Sequence, residues 1–344
     1  MKYWLKIILQ RLLNILPHKY AIKSNQFIVD KISGRLSEKI SVEARFRKGI
    51  ENCRLLVNKT SFSFKDSNIL ELGTGWHGID LIVFYLLGSN QIFTVDHYTH
   101  LDFKEFKMIC KKICKLDIEG IFSEYGLTII TSRFKKLKKI LNSTDSLQNL
   151  FNELSVHYVI AAPKNYSKIK YLKKIDLFYS ESVLQRIDKL FLIELLESVS
   201  KEMSENSVFF HRTDQCDVNA QKHILKSQNR LSYLRYSKTF FQLINSSKLN
   251  NQNRLREFEF IEIFKENNLD VVYLLSRYSN EDYRYVSSSE TIKSKYLNFS
   301  SEDIAVSHSK FIGRFSKRIS LNEINSYDRE LEVSSKTDNV HLKK

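Results

Sequence analysis

The sequence predicts an α/β protein built on an open, doubly wound, mostly parallel sheet, and three observations carry the prediction. Short apolar runs of strand length alternate with runs of helical periodicity from about residue 68 to about residue 315. Only 9 glycines and 2 prolines punctuate 344 residues, yet Gly73, Gly75, Gly78 and Gly88 fall together directly after the first strand-like run. The strands are separated by helices long enough to cross back over a sheet, and right-handed crossovers of that kind leave both faces covered. With 42% hydrophobic residues the chain can bury one large core, so one main domain is expected.

Taken in order, residues 1–50 read as a helical segment with basic faces. Its stretch Tyr3 to Leu16 is too interrupted by Lys6, Gln10, Arg11 and Asn14 to span a bilayer, and Pro17-His18-Lys19 offers no small-residue cleavage site. On a helical wheel Trp4, Leu5, Ile8, Leu9, Leu12, Ile15 and Leu16 share one side against Lys2, Lys6, Gln10 and Asn14, while Ile7 and Leu13 stray to the polar side. Such a helix suits a membrane interface through residues 1–17 or, equally, a contact with the main domain or a second subunit. The main domain, 51–318, carries strands at Asn68 to Leu72, Gln91 to Asp96, His157 to Ala162, Ile175 to Tyr179, Ser207 to His211, Asp270 to Leu275 and Asp303 to Phe315. Helices are expected at Ile79 to Leu87, Phe103 to Cys114, Phe191 to Met203 and Arg256 to Asn267. The stretch near 115–155, with Phe134-Lys135-Lys136-Leu137-Lys138-Lys139, breaks the rhythm and reads as a helical insertion. Residues 319–344 are polar and read as a loose tail.

Charge and cysteine usage narrow the function classes. Lys and Arg total 54 against 39 Asp and Glu, a formal net charge of +15, which favours anionic partners. The basic residues are spread along the chain rather than gathered, so general compositional bias accounts for much of that charge. Cys53, Cys110, Cys114 and Cys216 form no C-x-x-C pair and read as reduced, non-metal thiols of a cytoplasmic protein.

The stretch Ile69-Leu70-Glu71-Leu72-Gly73-Thr74-Gly75-Trp76-His77-Gly78 contains G-x-G-x-x-G after a strand, with Asp96 one βαβ step further on. Glycines in that turn let a ligand approach the backbone while the next helix presents its positive end. This chemistry suits a dinucleotide, and it equally suits the methionine carboxylate and ribose of S-adenosylmethionine. Glu71 two places before the first glycine, the bulky pair Trp76-His77 inside the loop, and almost seventy residues ahead of the strand favour the second reading.

The run from Glu71 to Leu101 resembles the first two cofactor motifs of class I S-adenosylmethionine-dependent methyltransferases, in particular a bacterial branch associated with surface-polysaccharide gene clusters. Ile175 to Leu184 is similar to the fourth-strand motif, Phe209-Phe210-His211-Arg212-Thr213-Asp214 to the branch's His-x-x-Asp element after the fifth strand, and Asn253-Arg254-Leu255-Arg256 to its lead into the penultimate helix. The resemblance covers roughly Asn68 to Phe315, with a gap from Lys115 to Ser155. It implies a Rossmann-like, seven-stranded sheet with an antiparallel last strand, Glu71, Gly73, Thr74 and Gly75 around the methionine end of the cofactor, Asp96 on the ribose hydroxyls, and Ser180 in the cofactor wall. His97 and Tyr98 either flank the adenine or pack beneath the sheet. Two departures stand out. Gln185-Arg186 replaces the Glu-His usual after the fourth strand, and Ala161-Ala162-Pro163-Lys164-Asn165 lacks the acid expected beside the adenine.

The implied activity is O-methylation of a sugar in a bacterial surface glycan or its lipid-linked or nucleotide-linked precursor, in the cytoplasm or on the inner face of the membrane. Methyl transfer to a hydroxyl needs a base for a poorly acidic proton. His211 is the candidate base, and Asp214 either orients it or shares a divalent cation with Asp217; two carboxylates in a loop make a thin site, so no metal is assigned. A lipid, a small metabolite, nucleic acid or a catalytically inactive scaffold role are the alternatives, and nucleic acid is disfavoured because no base-flipping aromatic loop is present.

Overall fold

A computed structural model of the chain describes residues 41–170, 174–217, 229–245, 251–316 and 327–334, with positions 7, 8, 11–13, 15, 20 and 24 near the start. Helix α1 (Val42–Thr60) leads into β1 (Asn68–Leu72), α2 (Ile79–Leu87), β2 (Gln91–Asp96) and α3 (Phe103–Ile113). Three further helices follow, α4 (Ile118–Glu124), α5 (Thr131–Ser143) and α6 (Leu147–Glu153), before β3 (Val156–Ile160) and β4 (Ile175–Glu181). The second half comprises α7 (Lys189–Glu202), β5 (Met203–Asp214), α8 (Lys238–Asn245), α9 (Glu257–Glu266) and β6 (Leu269–Ser279). It continues with α10 (Asn280–Ser287), α11 (Glu290–Lys293), α12 (Ser301–Ala305), β7 (His308–Phe315) and β8 (Asp328–Ser334).

The strands form one sheet in the order β3-β2-β1-β4-β5-β7-β6-β8. All neighbours pair in parallel except β7, which runs antiparallel to both β5 and β6. The dinucleotide order 3-2-1-4-5-6 lacks this reversed insert. The result is the expected Rossmann-like sheet with a reversed seventh strand, and it carries one strand more than the seven expected. That eighth strand falls in the stretch read as a polar tail. Its sequence, Asp-Arg-Glu-Leu-Glu-Val-Ser, has no buried residue, and besides the backbone ladder polar side-chain contacts hold it: Tyr273 Oη donates to Glu330 at 2.6 Å, and Arg277 Nε donates to Glu332 at 2.6 Å in an ion pair. Charge on an edge strand also protects it from pairing with another chain. At the other end of β7, Ser301–Ala305 is a short helix capped by Ser300, so the strand begins at His308 rather than near Asp303.

Two cores sandwich the sheet. One face packs Ile69, Ile92, Tyr179 and Phe210 against Phe46, Ile50 and Leu56 of α1, against α2, which is apolar but for Asp80, and against the inner sides of α3 to α6. The other packs Leu70, Phe93, Phe178, Phe209 and Phe311 against α7 and α9. Helix α1 runs unbroken through residue 50, and its buried stripe makes it part of the main domain's wall. Much of the amphipathic helix expected over residues 1–17 lies outside the described residues. Where it is described, Ile7 and Leu13, the two that strayed, are buried, whereas Ile8, Leu12 and Ile15 stand 52%, 54% and 79% exposed.

Gly313 of β7 lies where the reversed strand is pressed between its neighbours, and a Cβ there would come within 2.0 Å of the Asp270 carbonyl oxygen and 2.3 Å of the Phe209 ring. Gly313→Ala should therefore lower unfolding stability by about 2 to 3 kcal/mol, the range of core overpacking, as read from urea denaturation.

Candidate functional site

Strands β1 to β5 all end at one edge of the sheet, and the β1–α2 turn opens there. Gly73, Gly75 and Gly78 have φ of 83°, 65° and 58°, the left-handed region that glycine reaches without strain. Gly73 is fixed by packing, since a Cβ would meet Val183 Cγ2 at 2.2 Å, whereas nothing lies within 4 Å of a Cβ built on Gly75. A ligand can thus approach the backbone at Gly75. The Gly75 N–H donates to Asp96 Oδ2 at 2.9 Å and the His97 N–H to Oδ1 at 2.7 Å, so the loop and the tip of β2 are tied through one carboxylate. Each oxygen keeps a lone pair for a further donor.

Aromatic rings collect beside that carboxylate. Trp76 lies over His100 with ring centroids 4.4 Å apart, and His97 stacks on Tyr98 at 3.8 Å. Tyr158 Oη donates to the Tyr98 carbonyl at 3.4 Å, and His100 Nε2 lies 3.8 Å from Asp96 Oδ1. A wall of this kind stacks a planar base. His97 and Tyr98 were legible from the sequence; Trp76 and His100 come beside them only through the fold of the loop.

Glu71 and Thr74 turn inward. Thr94 Oγ1 donates to Glu71 Oε2 at 2.6 Å, and the hydroxyls of Thr74 and Thr94 meet. Burial, reinforced by Asp80, pushes the Glu71 carboxyl up to about 8, so at neutral pH it is mostly a neutral hydrogen-bonding group.

Next to it lies a cluster that sequence reasoning reached only through Glu181. Glu181 accepts from Asn52 Nδ2 at 2.8 Å and Arg212 Nη1 at 3.1 Å and pairs with Lys48 Nζ. Arg212 also donates to Ser182 Oγ at 2.8 Å, and Tyr179 Oη donates to Asp80 at 3.3 Å. Burial alone would raise Glu181, but Lys48 and Arg212 outweigh it and hold the carboxyl near 2. Asp80, buried and facing Glu181, is pushed up to about 7. Burial lowers Lys48, and it lowers the nearby Lys310. The available sequence signal was Lys48 and Asn52, one turn apart on the buried side of an otherwise ordinary helix.

The acceptor-side residues His211 and Asp214 stand three positions apart on β5 and so point to opposite faces. His211 is fully enclosed against Phe178, Phe209 and Phe264; its Nδ1 meets Ser180 Oγ at 2.9 Å and its Nε2 has no partner. Burial lowers its pKa to about 3, so the imidazole is neutral across the physiological range. The ring beside Asp214 is that of His308, with Nε2 3.7 Å from Oδ1. A cleft of 670 Å³ lined by Lys174, Glu197, Met203, Glu266 and Asn268 lies at the amino ends of β4 and β5, the wrong edge for a ligand of an open α/β sheet.

No family model and no curated protein matches the sequence. Solved structures similar to the chain include an S-adenosylmethionine-dependent methyltransferase from Clostridium acetobutylicum, 12% identical over 86% of this chain and 98% of that one, with a TM-score of 0.41. A second, from Mesorhizobium loti, is 10% identical over 80% and 98% with a TM-score of 0.39. Geranyl diphosphate C-methyltransferase from Streptomyces coelicolor is 9% identical over 77% and 75%, with a TM-score of 0.40. Likenesses this distant carry no argument about activity.

The two buried groups titrate in opposite senses. The folded-state value of Glu71, about 8, lies above its ordinary 4.5, so the native state keeps a proton that the unfolded chain loses, and stability falls as pH rises through that window. His211 at about 3 lies below its ordinary 6.5, so stability falls as pH drops from 6.5 toward 3. Denaturant titrations at pH 4, 6 and 8.5 should show Glu71→Gln abolishing the alkaline loss and His211→Phe the acid loss, each on the order of a few kcal/mol.

Proposed function

We propose that the chain is a methyltransferase using S-adenosylmethionine, and that it O-methylates a sugar of a bacterial surface glycan or of its nucleotide- or lipid-linked precursor. The observation that carries the cofactor half is the junction of Gly75 with Asp96: open space over a left-handed glycine beside a carboxylate at the tip of β2. Asp96 would take the ribose hydroxyls, the rings of Trp76, His97 and Tyr98 the adenine, and the Gly73-Thr74-Gly75 backbone the methionine end. Glu71 holds that loop through Thr94 and Thr74, and Ser180, buried against His211, is the further residue proposed for the cofactor wall. When bound, the cofactor supplies an electrophilic methyl on a sulfonium.

The sugar acceptor rests on the sequence resemblance, and the electrostatics support an acceptor that carries phosphate. Lys48, Arg212 and Lys310 gather at the carboxyl ends of β4 and β5 with Glu181 as their shared counter-ion. The resemblance proposes His211 as the base, with Asp214 on the acceptor side; its unpartnered Nε2 can serve in that role only where the acceptor reaches past Phe178, Phe209 and Phe264, which enclose the ring. Its low pKa keeps the imidazole unprotonated at neutral pH, so the rate should be flat there as far as His211 is concerned. Action at the cytoplasmic face of the membrane belongs to the same reading. Among the described residues no helix is long and apolar enough to cross a membrane, and the exposed Ile8, Leu12 and Ile15 suit a surface contact.

Isothermal titration should show binding of S-adenosylmethionine and its demethylated product and negligible binding of NAD. Asp96→Ala should weaken cofactor binding by roughly 1 to 3 kcal/mol, and tight NAD binding would overturn the reading.

With the acceptor identified by the methyl group missing from glycans of cells lacking the protein, His211→Ala should slow turnover about a hundredfold to ten-thousandfold with cofactor affinity unchanged. Near-normal turnover in that variant would make the histidine structural and move the search to Glu181.

A further inference from the structure

We propose that Asp214, Cys216 and His308 form a binding site for a zinc-type divalent cation, at the end of β5 and the start of β7. One ligand atom from each lies within 4.8 Å of the other two, and the Asp214 Oδ1 to His308 Nε2 separation is 3.7 Å. Two donors bonded to one tetrahedral zinc at about 2.0 to 2.3 Å stand roughly 3.3 to 3.7 Å apart, so the pair is already spaced for a shared ion. The ladder sets this spacing, because Asp214 is the register partner of His308 across the antiparallel pair. The turn after β5 then brings back Cys216, whose N–H donates to Asp214 Oδ1 at 3.1 Å.

The second shell prepares the imidazole. Ser307 Oγ lies within hydrogen-bond distance of both the Arg277 carbonyl, at 3.0 Å, and His308 Nδ1, at 3.1 Å. With its hydrogen on the carbonyl it accepts from Nδ1–H, which leaves the Nε2 lone pair toward Asp214, the tautomer a metal requires. In that tautomer two acceptor atoms face each other across 3.7 Å, with room for a cation between them. Of the four arginines whose charge reaches the site, Arg212 is bound to Glu181, Arg230 to Asp282 and Arg277 to Glu332, while Arg186 acts on Asp214 and holds its carboxyl ionised, together with Arg212.

The donor set decides the metal class. Sulfur and nitrogen select zinc-like ions over magnesium, which takes oxygen donors. Three protein ligands, two of them partly open to solvent, leave a fourth position for water or a substrate oxygen, as in catalytic zinc sites. Binding releases the Cys216 thiol proton to solvent. The site stands independently of the cofactor half of the methyl-transfer reading, because none of its three residues is needed to hold the cofactor; it shares Asp214 with the acceptor side.

Titration of the chelator-treated full chain with Co²⁺ tests it. One equivalent should bind and produce a thiolate-to-cobalt charge-transfer band in the near ultraviolet, and Zn²⁺ should displace it. Cys216→Ser should lose the band, whereas Cys114→Ser should keep it. His308→Gln, with the fold checked by circular dichroism, should weaken Zn²⁺ at least about tenfold in competition with a chromophoric chelator. Absence of the band at saturating Co²⁺, its persistence in Cys216→Ser, or unchanged Zn²⁺ affinity in His308→Gln would overturn the proposal, leaving a proton shared between Asp214 and His308 in place of the metal.

Discussion

The shared direction of β1 to β5 is the constraint on which the rest of the structure depends. Parallel strands joined by right-handed crossovers finish at the same edge, so every strand-end polar residue collects there. Glu71, Asp96, Glu181, Arg212 and Asp214 come from four different strands and more than a hundred residues of chain, yet gather in a strip at this one edge. Reversing β7 adds a further consequence: its first residues, not its last, arrive at that edge, which brings His308 and Lys310 to the strip.

Within the strip, environment separates chemically similar groups. Glu71 and Asp80 lie in the low-dielectric interior without a cation of their own and rise toward neutrality, whereas Glu181, equally enclosed, is held ionised by Lys48 and Arg212. Helix α1 is responsible for the difference, because Lys48 and Asn52 both descend from it onto Glu181. Removing either cation would leave a buried carboxylate uncompensated, a larger loss than the pair's own net contribution.

The opposite face holds a second polar layer with a different character. Arg256 is fully buried and donates to the Gln215 carbonyl at 3.0 Å, to the Ile304 carbonyl at 2.7 Å and to Tyr233 Oη at 3.2 Å. Beside it Glu257 accepts from Ser276 and from Ser309. These bonds bind the α9 end to the β5 turn and the segment before β7, and so rigidify the ground under Asp214, Cys216 and His308. His211 belongs to this face, which is why its imidazole is enclosed among phenylalanines rather than lying in the strip with Asp214.

Strands covered on both faces are predominantly apolar, so β1, β2, β4 and the second half of β5 were legible as apolar-rich runs with polar residues near their carboxyl ends, and α2 as an apolar run broken only by Asp80. The left-handed turn needs glycine and the second strand needs an acid at its tip, so Gly73, Gly75 and Asp96 were legible too. Strand β8 was not, because its order comes from its backbone ladder and polar side-chain contacts with β6 and not from any apolar pattern of its own. Lys48 and Asn52 look like any helix surface until α1 lies over Glu181, and His308 looks unrelated to Asp214 until an antiparallel register sets them opposite. Periodicity and backbone chemistry are local and can be read along a chain; the meeting of distant polar side chains depends on which helix covers which strand and in what register, and only the packed tertiary structure decides that.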